Sequence, residues 1–361
     1  MSQRILVPSD SVPLEQLTFQ KLHSVNNPNS MHGIYPYRGK ISAIDARQIL
    51  SQLMPGKTLL DPFCGSGTIL YEAQHLGITP IGIDNNPLAV TLSLAKTQHI
   101  DIQSTLEQSR EYIRKAKSIE NNMKTTASAS KYFHEKSLKE ILAMLSYIEE
   151  MNSYEKAIIY GSIGLTARAC NNYVWTSNSV GKVVLPLKYV NFYNVYQKKL
   201  EKHIKFVNGG TEARVIQGDA RNLVSYVGQD SIDYVYTSPP YFDALDYTSY
   251  HAKIIYDLEG KNRGLIRKGL IQKASTYEKD MKLVLGQIKK VVKVSGTVIF
   301  VVGDKKLKDG TIINGGEFFM NLSDWKPSYI VEREYSGSSS QIWDKINKTK
   351  RKEQIVVWKR D

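Results

Sequence analysis

The chain has 361 residues, of which 42% are hydrophobic and 23% are charged, a composition typical of one large folded domain or one domain with an insertion. Its two cysteines, Cys64 and Cys170, cannot form a disulfide framework or a four-ligand zinc site, and they favour a cytoplasmic location. We expect neither export nor membrane spanning, because the first residues lack an apolar signal segment and no run of about 18 apolar residues occurs.

The net charge of +13 is distributed unevenly. Residues 100–215 carry +6 and residues 242–361 carry +8, whereas residues 1–99 carry +1 and residues 216–241 carry −2. A basic excess suits a polyanionic partner, since lysine and arginine release counterions when they neutralise phosphates. A solvated basic surface explains the charge equally well, so charge alone leaves both interpretations open.

The first predicted elements alternate between strand and helix. The sequence KTLLD at 57–61 predicts a short buried strand, which the turn PFCGSG connects to an apolar helix. PIGID at 80–84 predicts a second strand, and NNPLAVTLSLAKTQ after it predicts a second helix. This β-α-β-α order predicts an α/β, Rossmann-like fold with a parallel sheet.

Residues 100–212 interrupt this alternation. Apolar residues recur at helical spacing from Leu138 to Ile148, and residues 154–170 predict a further helix. We therefore expect a largely helical insertion between a first segment, 1–99, and a last segment, 213–361.

The strand pattern resumes after the insertion. Three strands are predicted at 213–220, 232–237 and 296–304, and two late strands are predicted as an antiparallel pair at 328–334 and 354–358. The expected sheet has seven strands with helices on both faces.

Acidic residues follow three successive predicted strands. Gly65 and Gly67 form a tight turn after Asp61, and glycines there let the backbone approach a ligand closely. Asp84 follows the next strand, 23 residues after Asp61, where a carboxylate can accept both ribose hydroxyls, and Asp219 follows the strand after that. The two glycines alone also fit an ordinary tight turn, but three acids at strand ends bracket one crevice.

A dinucleotide site fits these residues poorly. Leu70 occupies the position of the third glycine in G-x-G-x-x-G, and an acid-rich edge disfavours a pyrophosphate. A cationic ligand with a nucleoside fits better. S-adenosylmethionine is such a ligand, because it joins a sulfonium, an amine and a carboxylate to adenosine.

The sequence TSPPY at 237–241 ends another predicted strand on two prolines. Neither proline offers a backbone N–H, so the strand stops on a rigid turn that carries a hydroxyl and an aromatic ring. In isolation this turn fits a simple strand terminator.

The motifs DPFCGSGT, GIDNNPLA and TSPPY, with the upstream MHGIYPYRGKIS, together resemble the exocyclic-amino DNA methyltransferases, which use S-adenosylmethionine to modify N4 of cytosine or N6 of adenine. The resemblance covers about residues 31–99 and 213–303. It implies that the catalytic turn is Ser238, Pro239, Pro240 and Tyr241. It implies that the cofactor site comprises Tyr37, Lys40, Asp61, Phe63, Gly65, Gly67, Asp84, Asn85, Asp219 and Ala220. No metal site is expected.

The resemblance also implies a mechanism. The Ser238 hydroxyl and the Pro239 carbonyl accept the two N–H bonds of the target amine, which attacks the sulfonium methyl in line. Tyr241 stacks on the base after it leaves the duplex, and Phe242 helps to wall the pocket. Serine in place of aspartate before the two prolines favours cytosine N4.

The implied partner is double-stranded DNA. Residues 261–273 hold five Lys and Arg in thirteen residues, and the insertion combines basic with aromatic residues, a composition expected for phosphate and base contacts. In the insertion these residues are Arg168, Lys182, Lys188, Lys198, Lys199, Lys202, Tyr173, Trp175, Tyr189, Phe192 and Tyr193. The insertion is thus a candidate target-recognition region.

The family implies a role in restriction-modification or host marking, with a cognate restriction endonuclease acting on the same site, and it leaves monomer and homodimer open. Three alternatives remain: an N6-adenine DNA methyltransferase, an RNA guanine-N2 methyltransferase, and a non-catalytic DNA-binding protein that senses the cofactor.

Overall fold

The computed structural model describes residues 4–6, 29–37, 39–174, 183–240, 246–306, 309–336 and 350–361. In these residues the strands are β1 Arg4–Leu6, β2 Thr58–Asp61, β3 Thr79–Asp84, β4 Arg214–Gln217, β5 Ile232–Thr237, β6 Val292–Gly303, β7 Lys305–Lys306, β8 Ile312–Ile313, β9 Tyr329–Ser336 and β10 Lys350–Lys359. The α-helices are α1 Ala43–Leu50, α2 Thr68–Gln74, α3 Pro87–Thr97, α4 Ile102–Ile119, α5 Ala127–Ser130, α6 Glu135–Leu145, α7 Ser153–Cys170, α8 Phe192–His203, α9 Leu223–Val227, α10 His251–Leu258, α11 Arg263–Gly269, α12 Ala274–Val291 and α13 Gly315–Asn321.

The main sheet has the strand order β1-β9-β10-β6-β5-β2-β3-β4. The five strands from β6 to β4 run parallel, and β10, β9 and β1 add antiparallel pairs. All seven predicted strands are present, and the two late strands form the predicted antiparallel pair. The short edge strand β1 is an eighth member that the sequence pattern did not predict.

The order of the parallel strands reverses beside β2. The chain passes from β2 outward to β3 and β4, and then returns to the opposite side of β2 as β5. Leu60 of β2 therefore has Ile81 on one side and Val235 on the other. In parallel sheets a ligand crevice forms at the carboxyl ends of the strands where the order reverses.

Helices cover both faces of the sheet, as predicted. Leu59 packs into a core with residues of α1 and α2, whereas the next residue, Leu60, packs into a core with residues of α12. This division follows from strand geometry, because successive side chains point to opposite faces.

The helices of residues 100–212 share a third core with α3 and the segment around Ile34. Leu88 and Leu92 of α3 belong to the same buried cluster as Ile158 of α7. The close approach of α7 depends on Gly161, where an added Cβ would lie 2.1 Å from the carbonyl oxygen of Ile34. The helical block therefore supports α3 and the segment around Ile34 directly.

No helix within the described ranges is long and apolar enough to cross a membrane.

Candidate cofactor pocket and catalytic turn

A cleft of about 810 Å³ opens at the carboxyl ends of the parallel strands, at the reversal beside β2. The lining residues come from the ends of β2, β3, β4 and β5, from the segment 37–41, and from residues 247 and 269–271. The structure thus brings distant parts of the sequence to one cavity.

Nine of the ten residues expected at the cofactor site line this cleft: Tyr37, Lys40, Asp61, Phe63, Gly65, Asp84, Asn85, Asp219 and Ala220. The tenth, Gly67, is buried and begins α2 with a positive φ of 72°. A Cβ on Gly67 would lie 2.8 Å from Ser93 of α3, so this glycine is required for close helix packing.

The glycine turn is fixed by Asp84. The backbone N–H of Gly65 donates to Asp84 Oδ2 at 2.9 Å, and Gly65 itself has a positive φ of 51°. The Tyr37 ring covers the turn, because a Cβ on Gly65 would lie 3.3 Å from Tyr37 Cε1. A side chain here would push against that ring, so the turn requires glycine.

Two carboxyl groups in the cleft have raised pKa values. Burial raises the pKa of Asp61 to about 7, although the Thr237 hydroxyl donates to its Oδ1 at 2.6 Å. Burial likewise raises the pKa of Asp84 to about 6, and the N–H of Asn86 donates to its Oδ1 at 2.8 Å. Desolvation of the charged form explains both shifts. A cationic ligand would favour ionisation of both groups.

Asp219 is engaged within the protein. Its carboxylate accepts from Arg221 Nη2 at 2.5 Å, and Arg221 Nη1 also donates to Asp280 at 2.9 Å. The same carboxylate caps a short turn by accepting from the N–H of Arg221 at 2.9 Å. Asp219 thus lines the cleft as part of an ion-pair network.

The segment predicted to contact DNA, residues 261–273, ends inside the cleft. Gly269, Leu270 and Ile271 line the pocket, and the Asn85 side chain donates to the Gly269 carbonyl oxygen at 3.0 Å. No local sequence signal marked these three residues as pocket-lining, because their placement depends on the packing of α11.

The described residues of the predicted catalytic turn border the same cleft. Ser238 and Pro240 line it, whereas Pro239 is buried. The Tyr277 hydroxyl of α12 donates to the Pro240 carbonyl oxygen at 2.5 Å, a support that the sequence did not reveal. Tyr241 and Phe242 lie outside the described residues.

The segment before α1 is tied to the pocket wall by buried polar contacts. Lys40 Nζ donates to the His32 carbonyl oxygen at 2.9 Å, and burial lowers the pKa of Lys40 to about 8. The His32 ring contacts Glu72 at 2.8 Å, and burial lowers the pKa of His32 to about 4. His32 is therefore a neutral packing residue at neutral pH, and it orients the segment that carries Tyr37.

The predicted DNA-contacting residues of the insertion divide into surface and core. Lys199, Phe192 and Tyr193 are buried, so their prediction as DNA contacts was wrong. Lys199 donates to the Gly33 carbonyl oxygen at 3.1 Å, and Tyr193 donates to Glu120 at 2.5 Å, because both lie on the inner face of α8. The exposed members are Lys188, Lys198, Lys202, Tyr173 and Tyr189, with Arg168 half-buried. Lys182 and Trp175 lie outside the described residues.

Comparison with known proteins identifies a domain within the chain. Residues 45–144 match the family model UPF0020, described as an RMKL-like methyltransferase domain. The chain is 32% identical over 108 residues to Type II methyltransferase M.MjaII of Methanocaldococcus jannaschii, a match that covers 30% of this chain and 20% of that protein. It is 36% identical over 69 residues to Type II methyltransferase M.BsoBI of Geobacillus stearothermophilus, covering 19% of this chain and 14% of that protein.

An rRNA methylase from Streptococcus thermophilus is a distant structural neighbour, with 9% identity, a TM-score of 0.33, and coverage of 89% of this chain and 98% of that chain. A similarity at this level says nothing about the function of the present chain. The family match contains the glycine turn and Asp84, and both Type II relatives are methyltransferases. The chain therefore contains an S-adenosylmethionine-dependent methyltransferase domain.

Proposed function

We propose that the protein transfers the methyl group of S-adenosylmethionine to an exocyclic amino nitrogen of a base in DNA, with N4 of cytosine as the target. The observation that carries this proposal is the position of Ser238 and Pro240 in the same cleft as Asp61 and Asp84. A turn with hydrogen-bond acceptors then faces the place where the sulfonium methyl would lie.

In this proposal the turn positions the target amine and forms no covalent bond with it. The lone pair of an exocyclic amine is delocalised into the base, so the nitrogen is a weak nucleophile. Acceptance of its N–H bonds by the Ser238 hydroxyl and the Pro239 carbonyl favours tetrahedral geometry at nitrogen. The nitrogen attacks the methyl carbon, the carbon–sulfur bond breaks with its electrons on sulfur, and the displaced proton leaves to solvent.

The structure supplies two supports for this turn. Tyr277 holds the Pro240 carbonyl, and Thr237 connects the end of β5 to Asp61. Both donors are buried, so both hydrogen bonds resist exchange with water. A preorganised turn lowers the cost of orienting the amine in the transition state.

DNA is the favoured substrate because the motif set resembles exocyclic-amino DNA methyltransferases and because both relatives bear the name Type II methyltransferase. The basic residues exposed on the insertion suit a phosphate backbone. A restriction-modification or host-marking role, with a cognate restriction endonuclease for the same site, belongs to this proposal. The insertion is its target-recognition region.

The proposal is tested by methylating unmodified plasmid DNA and, separately, total RNA, followed by single-molecule sequencing of the products. We expect N4-methylcytosine at one short DNA sequence. N6-methyladenine instead would overturn the choice of base, and modification of RNA alone would overturn the choice of DNA. The Ser238→Ala variant serves as the control for contaminating activity.

A further inference from the structure

Lys96 is a buried cation beside the cofactor cleft. It lies in α3 with 2% exposure, and its ammonium donates to Ser66 Oγ at 3.3 Å. Ser66 lines the cleft. Within the described ranges Lys96 forms no ion pair with a carboxylate. The hydrogen-bond partner of the Lys96 ammonium is thus a neutral hydroxyl, that of Ser66.

An ammonium in this position is costly, because burial disfavours the charged form. Burial lowers the pKa of Lys96 well below its ordinary value, and the nearby charge of Lys40 lowers it further. Glu72 acts in the opposite direction, but its carboxylate is already bonded to His32 at 2.8 Å and Arg47 at 3.2 Å. A lysine with a lowered pKa beside a cleft is a candidate functional residue.

The cleft is lined by a basic side chain and by hydroxyl groups as well as by carboxyl groups. Lys40, Ser66 and Thr68 line it, and Lys96 bonds to Ser66. The Thr68 hydroxyl is buried and has no hydrogen-bond partner within the described part of the chain. Asp61 and Asp84 line the same cleft. Groups of both kinds suit a ligand that carries both a cationic centre and a carboxylate.

We propose that Lys96 is a positioning residue for the carboxylate of S-adenosylmethionine and acts through Ser66. The Lys96 ammonium donates to Ser66 Oγ, so the Ser66 O–H is the donor directed to the carboxylate. A hydrogen bond whose donor is polarised by a cation is stronger than a neutral one. The Thr68 hydroxyl is the second donor of this subsite. The inference rests on the cofactor but not on which base is methylated.

The test compares two ligands that differ in one group: S-adenosylmethionine and its decarboxylated analogue. Titration calorimetry without nucleic acid measures both affinities for the wild-type protein and for Lys96→Met, which conserves volume and removes the charge. We expect the variant to bind S-adenosylmethionine about 10-fold more weakly and the analogue with unchanged affinity. Equal weakening of both ligands, or of neither, would contradict the proposal.

Two further variants separate this role from a structural one. Ser66→Ala should reproduce the selective loss, because it removes the hydroxyl through which Lys96 acts. Lys199→Met removes another buried lysine, whose ammonium bonds the Gly33 carbonyl oxygen and does not line the cleft. This variant should therefore not change the ratio of the two ligand affinities.

The melting temperature of ligand-free Lys96→Met should equal or exceed that of the wild type, since a desolvated charge is removed. A lowered melting temperature without ligand discrimination would assign Lys96 a purely structural role. Failure of the wild type to methylate DNA would leave this result unaffected.

Discussion

Ser238 combines two properties, a position in the lining of the ligand cleft and a backbone stiffened by the prolines that follow. The cleft position is given by the structure, and the stiffness follows from the fixed φ of proline. Removal of the hydroxyl should therefore affect the transition state more than cofactor binding. The rest of the turn would stay in place, because Tyr277 holds the Pro240 carbonyl.

For Ser238→Ala we expect kcat on DNA to fall about 100-fold while the Kd for S-adenosylmethionine changes less than about threefold, the pattern seen when one transition-state hydrogen bond is removed. Single-turnover kinetics and calorimetry measure the two quantities. Ser231→Ala is the matched control, because Ser231 precedes the opposite end of the same strand and its hydroxyl bonds the Val227 carbonyl oxygen. Equal losses in kcat and affinity would contradict the assigned role.

The raised pKa values of Asp61 and Asp84 predict how cofactor binding depends on pH. With values of about 7 and about 6, both carboxyl groups lose their charge as pH falls toward 5. Affinity for the cationic cofactor should therefore decrease, by up to roughly tenfold per pH unit for each coupled group. Calorimetry across this range measures the trend, and Asp84→Asn should flatten it. Affinity independent of pH would show that neither carboxylate faces the positive charge.

The raised pKa values of Asp61 and Asp84 affect the stability of the ligand-free protein in the direction opposite to their effect on cofactor affinity. Because both folded-state pKa values lie above the unfolded value of 3.8, the folded protein binds these protons more tightly than the unfolded chain. The contribution of these groups to the free energy of unfolding is full below the unfolded pKa and is lost as pH rises through the folded pKa. Ligand-free stability and cofactor affinity should thus change in opposite directions between about pH 5 and pH 7.

At the scale of elements, the strands of the sheet were predictable from the sequence, whereas the packing of α11 and α12 around the cleft was not. Strands such as 232–237 are short apolar runs ended by glycine or proline, and local signals of this kind specify them. The placement of Leu270 or Tyr277 depends on how α11 and α12 pack, which involves contacts between residues far apart in sequence. The buried side of α8 shows the same limit, since a basic, aromatic stretch gave no sign that Lys199 faces inward.

Asp246 connects residues 246–248 to α11. Its carboxylate accepts from the Thr248 hydroxyl at 2.6 Å and from Arg263 Nη2 at 3.1 Å, and Arg267 Nε lies 3.7 Å away. Its neighbour Tyr247 lines the cleft and stacks with Tyr37 at a centroid distance of 6.4 Å. This group of ion pairs, which we call the Asp246 clamp, therefore couples α11 to the Tyr37 ring over the glycine turn.

Asp246→Asn should lower both kcat and cofactor affinity by roughly three- to tenfold, because partly exposed ion pairs contribute about 1 kcal/mol and both functions use the clamped segment. The matched control is Asp257→Asn, an exposed aspartate on α10. Calorimetry and steady-state kinetics report the two losses, and thermal unfolding checks that the fold is retained. A variant with normal kinetics would show that the clamp is dispensable.

At the scale of the whole molecule, the positive charge is distributed unevenly along the sequence. The segment 216–241, which contains β5 and the predicted catalytic turn, carries −2, whereas residues 100–215 carry +6 and residues 242–361 carry +8. The C-terminal half of α7 packs against α10, since a Cβ on Gly164 would lie 3.0 Å from His251 at the start of α10. Arg168 lies on this end of α7, with its guanidinium 6.0 Å from the Tyr173 ring centroid.

This arrangement predicts where the phosphate backbone binds. Replacement of Arg168 or Lys188 by alanine should weaken binding to DNA of any sequence and reduce the slope of log K against log salt by about 1 for each phosphate that the variant no longer neutralises. Lys282→Ala is the control, because this exposed lysine lies on α12, which packs into a different core. Fluorescence anisotropy at several salt concentrations measures both effects. An equal loss of DNA affinity and salt slope in Lys282→Ala would mean that these charges act through the net field of the protein. A loss confined to the Arg168 and Lys188 variants would place the DNA against the end of α7.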